Sequence, residues 1–81
     1  MKVDVKLFGP LAEAAGGPSC SVEVPEGATV ADVVRAVRAL GRAGGDLLEA
    51  ATVAVNQRYA GAGDPISEGD EVALIPPVSG G

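Results

Sequence analysis

One stretch of this 81-residue chain is long and regular enough to form a full amphipathic helix. Thr29 precedes it and Asp32 follows three residues later, a spacing typical of a helix N-cap with a capping box. Gly41 suits the end of the helix. A single main helix can cover only one face of a small sheet, which restricts the chain to few architectures. The apolar residues that recur at helical spacing are Val30, Val33, Val34, Val37 and Leu40.

The remaining apolar residues predict the strands of that sheet. Two segments alternate polar and apolar residues, and three shorter segments lie between turn residues. The first and last strands are apolar enough to be central, and their pairing would be parallel. The sequence therefore predicts an α+β fold of the β-grasp type, with a mixed sheet of about five strands and the main helix on one face. The strand segments are Lys2–Leu7, Ser19–Val24, Thr52–Val55, Tyr59–Ala60 and Glu71–Ile75.

The other face of the sheet is predicted to be partly open. Phe8 has the parity opposite to the apolar residues of the first strand, so its ring is expected to face solvent. Tyr59 and Ile75 are expected on or near the same face. Exposed apolar surface can mark a contact site. The alternative, that Phe8 curls back over the edge of the core, stays open.

The chain lacks the side chains that most enzymes and metal sites require. It has no histidine, so Ser–His and Cys–His catalysis and most zinc sites are excluded. Cys20 is the one cysteine and is predicted to be a buried core residue. We expect no catalysis by the isolated chain, no metal and no bound cofactor. The acidic residues interpreted as solvated turn residues are Asp64, Glu68, Asp70 and Glu71.

Net charge and hydropathy restrict the partners and the location. Eleven acidic and six basic residues give a net charge of −5, which argues against nucleic-acid binding. No apolar run approaches the roughly 20 residues of a membrane span. We therefore expect a cytoplasmic protein with no membrane partner.

Residues 76–81 are predicted to form an extended tail after a domain of residues 1–75. Pro76 and Pro77 lack a backbone N–H and end strand pairing. Gly80 and Gly81 have no side chain and would fit a narrow tunnel in another protein. An extended tail of this length reaches roughly 18–20 Å. The alternative of an inert tail stays open on this pattern alone.

Three motifs resemble the small-subunit family of molybdopterin synthase, a family of ubiquitin-like β-grasp sulfur carriers. The likeness covers essentially all 81 residues and is most specific in the last third. The motifs are Val53–Gln57, Glu68–Ala73 and Pro76–Gly81.

The resemblance implies a function for the tail. Gly81 would be adenylated by an ATP-dependent, E1-like partner enzyme and converted to a thiocarboxylate. Its sulfur would then be donated to a pterin precursor in molybdenum cofactor biosynthesis. The partner would supply the ATP site, and two small subunits would join two large subunits in a heterotetramer. The residues expected to thread into the partner are Pro76, Pro77, Val78, Ser79 and Gly80, and those expected to contact its surface are Phe8, Tyr59 and Ile75.

Three other interpretations stay open. The sulfur carrier of thiamine biosynthesis has a similar fold and a Gly-Gly end. A ubiquitin-like protein modifier would start from the same adenylate but end in isopeptide bonds to lysines. A β-grasp binding module with an inert tail is the third.

Overall fold

The computed structural model describes residues 1–41 and 45–77. Within them lie the five predicted strands and the main helix, together with two short helices, Pro10–Ala15 before the main helix and Gly45–Ala50 after it. Part of the loop after Gly41 and the tail from Val78 onward lie outside the described residues. The elements are β1 (Lys2–Leu7), α1 (Pro10–Ala15), β2 (Ser19–Glu23), α2 (Val30–Ala39), α3 (Gly45–Ala50), β3 (Thr52–Val55), β4 (Arg58–Ala60) and β5 (Val72–Ile75).

The strands form one mixed sheet in the order β2-β1-β5-β3-β4. β1 and β5 lie side by side and pair in parallel, with Val5 opposite Val72. All other neighbouring strands are antiparallel. This confirms the predicted β-grasp arrangement, in which the first and last strands form the centre of the sheet.

The core lies between the sheet and α2, and it is aliphatic. Val5 and Leu74 of the central strands are completely buried, and they share the core with Val33 and Val37 of α2. Burying such side chains contributes about 1.5–3 kcal/mol each, so packing holds a valine-rich helix that has weak intrinsic propensity. Among the helices described, none is long and apolar enough to cross a membrane.

Three predicted core residues lie at the margin of the core instead, and one of them is Val34 of α2, which is half-buried. Cys20 is only half-buried and packs against the core from the edge strand β2. Leu40 is 43% exposed, because α2 ends at Ala39 and Leu40 is its C-cap residue. Gly41 follows with φ of 72°, the left-handed conformation that favours glycine after a helix.

The predicted capping box is present at the start of α2. The Asp32 carboxylate accepts hydrogen bonds from the Thr29 backbone N–H at 2.9 Å and from the Thr29 hydroxyl at 3.2 Å. The bond from the backbone N–H is the main reason why the pKa of Asp32 lies below its ordinary value. The ionised carboxylate therefore stabilises the first turn of the helix that covers the sheet.

Candidate partner-binding face and the base of the tail

The face of the sheet that points away from α2 is called the open face here. Strand register places Lys6 opposite Ala73, Ala73 opposite Ala54, and Ala54 opposite Tyr59. Residues directly opposite each other in neighbouring strands share a face, so these four form one row across β1, β5, β3 and β4. The two middle side chains of the row are methyl groups, and the two outer side chains are long.

A depression of about 380 Å³ lies over this row. Ala54 and Ala73 are the smallest side chains around it, so the surface is lowest where β3 and β5 adjoin. We call it the alanine depression. Its lining residues are Lys6, Phe8, Ala54, Gln57, Tyr59, Glu71, Ala73 and Ile75.

The three residues predicted to contact a partner all lie at the alanine depression. Phe8 is 48% exposed and Tyr59 is 81% exposed, while Ile75 is half-buried. The solvent-facing position predicted for Phe8 is therefore confirmed, and its ring does not close over the core. Large exposed rings around a concave surface are typical of a contact site. That these residues bind a partner remains a prediction.

One side of the depression is polar. Lys6 Nζ lies 3.2 Å from Glu71 Oε2, and both side chains are about half-exposed. An ion pair in such a position contributes little to stability, because water screens it. Both groups are therefore accessible to polar atoms of another molecule.

The hairpin between β3 and β4 borders the depression and is tied to the segment before β5. Asn56 and Gln57 have φ of 52° and 69°, a conformation typical of a two-residue type I′ hairpin turn. The Asn56 side chain donates a hydrogen bond to Asp70 Oδ1 and accepts one from the Glu71 N–H, both at 3.0 Å. Its backbone N–H donates to the Glu71 carbonyl at 2.8 Å. These bonds tie the hairpin that carries Gln57 and Tyr59 to Glu71, which directly precedes β5.

The Asp70 side chain is held by hydrogen bonds, one of them within its own turn. Its carboxylate accepts a hydrogen bond from the Ser67 backbone N–H at 2.8 Å as well as the bond from Asn56. The Ser67 bond first, and the Asn56 bond second, lower the pKa of Asp70 below its ordinary value. Among the four residues interpreted as solvated turn residues, Asp70 is half-buried and the other three are exposed.

The base of the predicted tail lies beside the depression. β5 ends at Ile75, and Pro76 and Pro77 continue without regular structure. Gly9 has φ of 53°, and a Cβ at that position would lie 3.4 Å from Pro76 Cγ. The backbone conformation, with φ of 53° and ψ of −130°, is one that residues with a side chain rarely adopt, so glycine is favoured at this position. The predicted tail residues Val78, Ser79, Gly80 and Gly81 lie outside the described residues.

A second, larger groove lies on the other side of the molecule. It has a volume of about 660 Å³ and lies between α2, α3 and β3. Its two arginines are already paired, Arg35 with Asp32 at 3.0 Å and Arg38 with Glu49 at 3.5 Å. None of the residues predicted to act in function lines it, so the alanine depression is the stronger candidate.

The described residues contain no group of three or more His, Cys, Asp or Glu side chains that could hold a metal ion. No polar or charged side chain among them is buried. An open depression with apolar residues on one side and an ion pair on the other has the mixed character of a protein contact surface.

Sequence reasoning did not single out Lys6, Ala54, Gln57, Glu71 and Ala73 as site residues. A signal was present for Ala73, which stands between the buried residues Val72 and Leu74 of β5. Ala54, on the floor of the depression, is itself only 8% exposed. Periodicity along one strand, however, does not give the register between strands. Only the pairing of Ala54 with Ala73 brings the two methyl groups together.

Comparisons with known proteins identify relatives of the chain. A family model described as the ThiS family matches residues 5–81. The chain is 40% identical over 85 residues to small archaeal modifier protein 1 of Haloferax volcanii, covering 94% of this chain and 97% of the relative. It is 34% identical over 83 residues to the molybdopterin synthase sulfur carrier subunit of Chlamydomonas reinhardtii, covering all of both chains.

Solved structures resemble the fold over its whole length. The crystal structure of SAMP1 from Haloferax volcanii has a TM-score of 0.81 and 37% identity, with full coverage of both chains. The crystal structure of a BexX/CysO complex from Amycolatopsis orientalis contains a chain with a TM-score of 0.71 and 25% identity, covering 98% of this chain and 99% of that one. The latter relative was thus solved in complex with another protein.

Proposed function

This chain belongs to the ThiS family and is a ubiquitin-like sulfur carrier, and on that premise we propose that it is the sulfur-donating small subunit of molybdopterin synthase. The observation that carries the proposal is the continuity of β5 with the Gly-Gly motif. Ile75 lines the alanine depression, and the sequence passes through Pro76 and Pro77 directly to Gly80 and Gly81. The match to a molybdopterin synthase sulfur carrier over the full length of both chains supports the choice of pathway.

The proposed reaction occurs at the carboxyl group of Gly81. A carboxylate is a poor electrophile, so an E1-like partner would first use ATP to form an acyl-adenylate, releasing pyrophosphate. A sulfur donor would then replace AMP and leave a thiocarboxylate. Docked in the large subunit, that sulfur would attack a carbon of the pterin precursor, displace an oxygen substituent and form a thioester with Gly81. Hydrolysis of the thioester would leave the sulfur on the pterin and return the Gly81 carboxylate, and two carriers would supply two sulfur atoms.

The chain's own residues would position the sulfur rather than activate it. Pro76 and Pro77 fix the direction of the tail at the end of β5, because proline restricts φ and cannot continue strand pairing. Val78, Ser79 and Gly80 would occupy a tunnel in the partner. The bulk of the domain would remain outside, bound through Phe8, Tyr59 and Ile75. Pocket, base and ATP would belong to the partners, and the assembly would contain two small and two large subunits.

A second function is favoured by one comparison. The 40% identity to a small archaeal modifier protein supports a role in protein modification, in which Gly81 would form an isopeptide bond with a lysine of another protein. Both functions begin with the same adenylate, so they differ only in what replaces AMP. Sulfur transfer for thiamine biosynthesis would likewise share the first step.

Reconstitution tests the proposal. The chain is incubated with the adenylating enzyme of the same cells, ATP and sulfide, then passed to the molybdopterin synthase large subunit with the pterin precursor. We expect molybdopterin from the unchanged chain, and none from Gly81→Ala or from a chain with one added C-terminal alanine. Ala14→Leu, an exposed substitution on α1, serves as the matched control. Normal turnover by either tail variant would overturn the mechanism.

A further inference from the structure

We infer that Ala54 and Ala73 determine what the open face accepts: they leave room for an apolar side chain of the protein that receives the tail. The inference rests on the proposed function, because it takes that protein to be the large subunit that holds Gly81. It goes further by assigning a specificity role to two residues that carry no chemistry of their own.

The size of the two side chains is the first step. Ala54 and Ala73 are paired in register on adjacent strands, and both lie on the face away from α2. Alanine is depleted in strands, where β-branched and aromatic residues pack better. The same row ends in Lys6 and Tyr59, so long side chains fit this face on either side of the pair. Two methyl groups at paired positions are what create the depression.

The chemistry of the walls is the second step. Phe8, Tyr59 and Ile75 border the methyl floor, so the matching group is aliphatic or aromatic. Lys6 and Glu71 provide one positive and one negative group on the polar side. The group that fits the depression is therefore an apolar side chain of the partner. Polar atoms of the partner next to that side chain would contact the ion pair.

The position of the tail identifies whose side chain it is. Ile75 is both a wall of the depression and the last residue of β5. Six residues follow it in the sequence, and fully extended they reach roughly 20 Å. A protein that encloses Gly81 therefore comes within that distance of the depression. The surface of that protein has to fit the space above Ala54 and Ala73.

Substitution by leucine tests the inference. Ala54→Leu and Ala73→Leu place a larger side chain in an open depression, and their affinities for the molybdopterin synthase large subunit are measured by calorimetry. We expect binding weakened by about tenfold or more, because overpacking of a filled contact is unfavourable. Ala14→Leu, the same change outside the depression, should stay within about twofold. Equal affinity of the Ala54→Leu and unchanged chains would overturn the inference.

A second measurement tests the inference without the leucine variants, in case they fail to fold. The unchanged chain, with ¹³C-labelled alanine methyl groups, is bound to the large subunit. We expect nuclear Overhauser contacts from the Ala54 and Ala73 methyls to aliphatic or aromatic protons of the partner, and their absence would overturn the inference. The proposed function fails separately, if the unchanged chain neither binds the large subunit nor carries sulfur at Gly81.

Discussion

At the scale of single residues, the chain uses its two aromatic side chains outside the core. Phe8 and Tyr59 are the only rings in the sequence, and they are 48% and 81% exposed. A buried ring removes 150–250 Å² from water, more than any aliphatic side chain. The fold does without that contribution and relies on residues such as Leu74. We therefore interpret the two exposed rings as candidate contact residues and the buried aliphatic residues as the source of stability.

Truncating one residue of each kind separates the two roles. We predict that Tyr59→Ala changes the free energy of unfolding by less than about 0.5 kcal/mol, because the side chain is exposed. It should weaken binding of the large subunit by about tenfold or more. Leu74→Ala should instead cost about 2–5 kcal/mol, since its side chain is completely buried. Urea denaturation and calorimetry measure the two effects, and a Tyr59→Ala chain that binds normally would contradict the assignment.

Residue-scale prediction succeeded where parity along one strand was enough. Phe8 was placed correctly because it directly follows an alternating strand. Cys20 and Leu40 were misplaced because burial also depends on where an element ends. Cys20 belongs to an edge strand, and Leu40 caps a helix that stops one residue earlier.

At the scale of elements, the β3–β4 hairpin and the segment before β5 behave as one unit. Asn56 joins them through its side chain and its backbone, and Asp70 supports that junction. The two sides of the alanine depression therefore keep their spacing without any buried polar group. The sequence signal for the turn was visible, but the bond between Asn56 and Glu71 spans 15 residues and could not be read from local pattern.

Replacing Asn56 by glycine isolates this junction. Glycine keeps the positive φ but removes both side-chain hydrogen bonds, so we predict a loss of about 1–2 kcal/mol in the free energy of unfolding. Amide exchange at Glu71 should accelerate, because its N–H loses its acceptor. Gln57→Gly is the matched control. It relieves a positive φ and should leave Glu71 protected. An unchanged exchange rate of the Glu71 amide in the Asn56→Gly chain would contradict the role of Asn56 in joining the two segments.

The two aspartates with lowered pKa predict how stability depends on pH. Asp32 and Asp70 bind protons less tightly in the folded chain than in the unfolded chain. Their contribution is therefore fully present above the ordinary aspartate value of about 3.9 and is lost as pH falls through their lower folded values. We expect the free energy of unfolding to fall between about pH 5 and pH 2.

Replacing each aspartate by asparagine identifies which carboxylate causes the loss of stability at low pH. Asp32→Asn and Asp70→Asn should each reduce stability at pH 7 and flatten the acid limb of the pH profile. Glu26→Gln changes an exposed carboxylate for which the structure gives no hydrogen bond to a neighbour, and it serves as the control. Urea denaturation at each pH measures the free energy of unfolding. Parallel pH profiles for the Asp70→Asn chain and the unchanged chain would contradict the role of Asp70.

At the scale of the whole molecule, the two faces of the sheet differ. α2 covers one face and closes the aliphatic core, while the other face presents the alanine depression next to the end of β5. The order of elements, the parallel central pair and the single main helix could all be predicted from periodicity. The depression could not, because it depends on the register between β3 and β5 and on two residues that periodicity treats as ordinary strand positions.

The central claim, that Gly81 carries sulfur, is tested most directly by weighing the last tryptic peptide of the chain isolated from its own cells. Trypsin cuts after Arg58 and leaves residues 59–81 intact, since that segment contains no lysine or arginine. It also contains no methionine or cysteine, so alkylation directed at sulfur can react only with a thiocarboxylate. The account predicts an alkylated peptide in which one oxygen is replaced by sulfur. A peptide found only branched onto lysines, or only as an unmodified carboxylate, would contradict it.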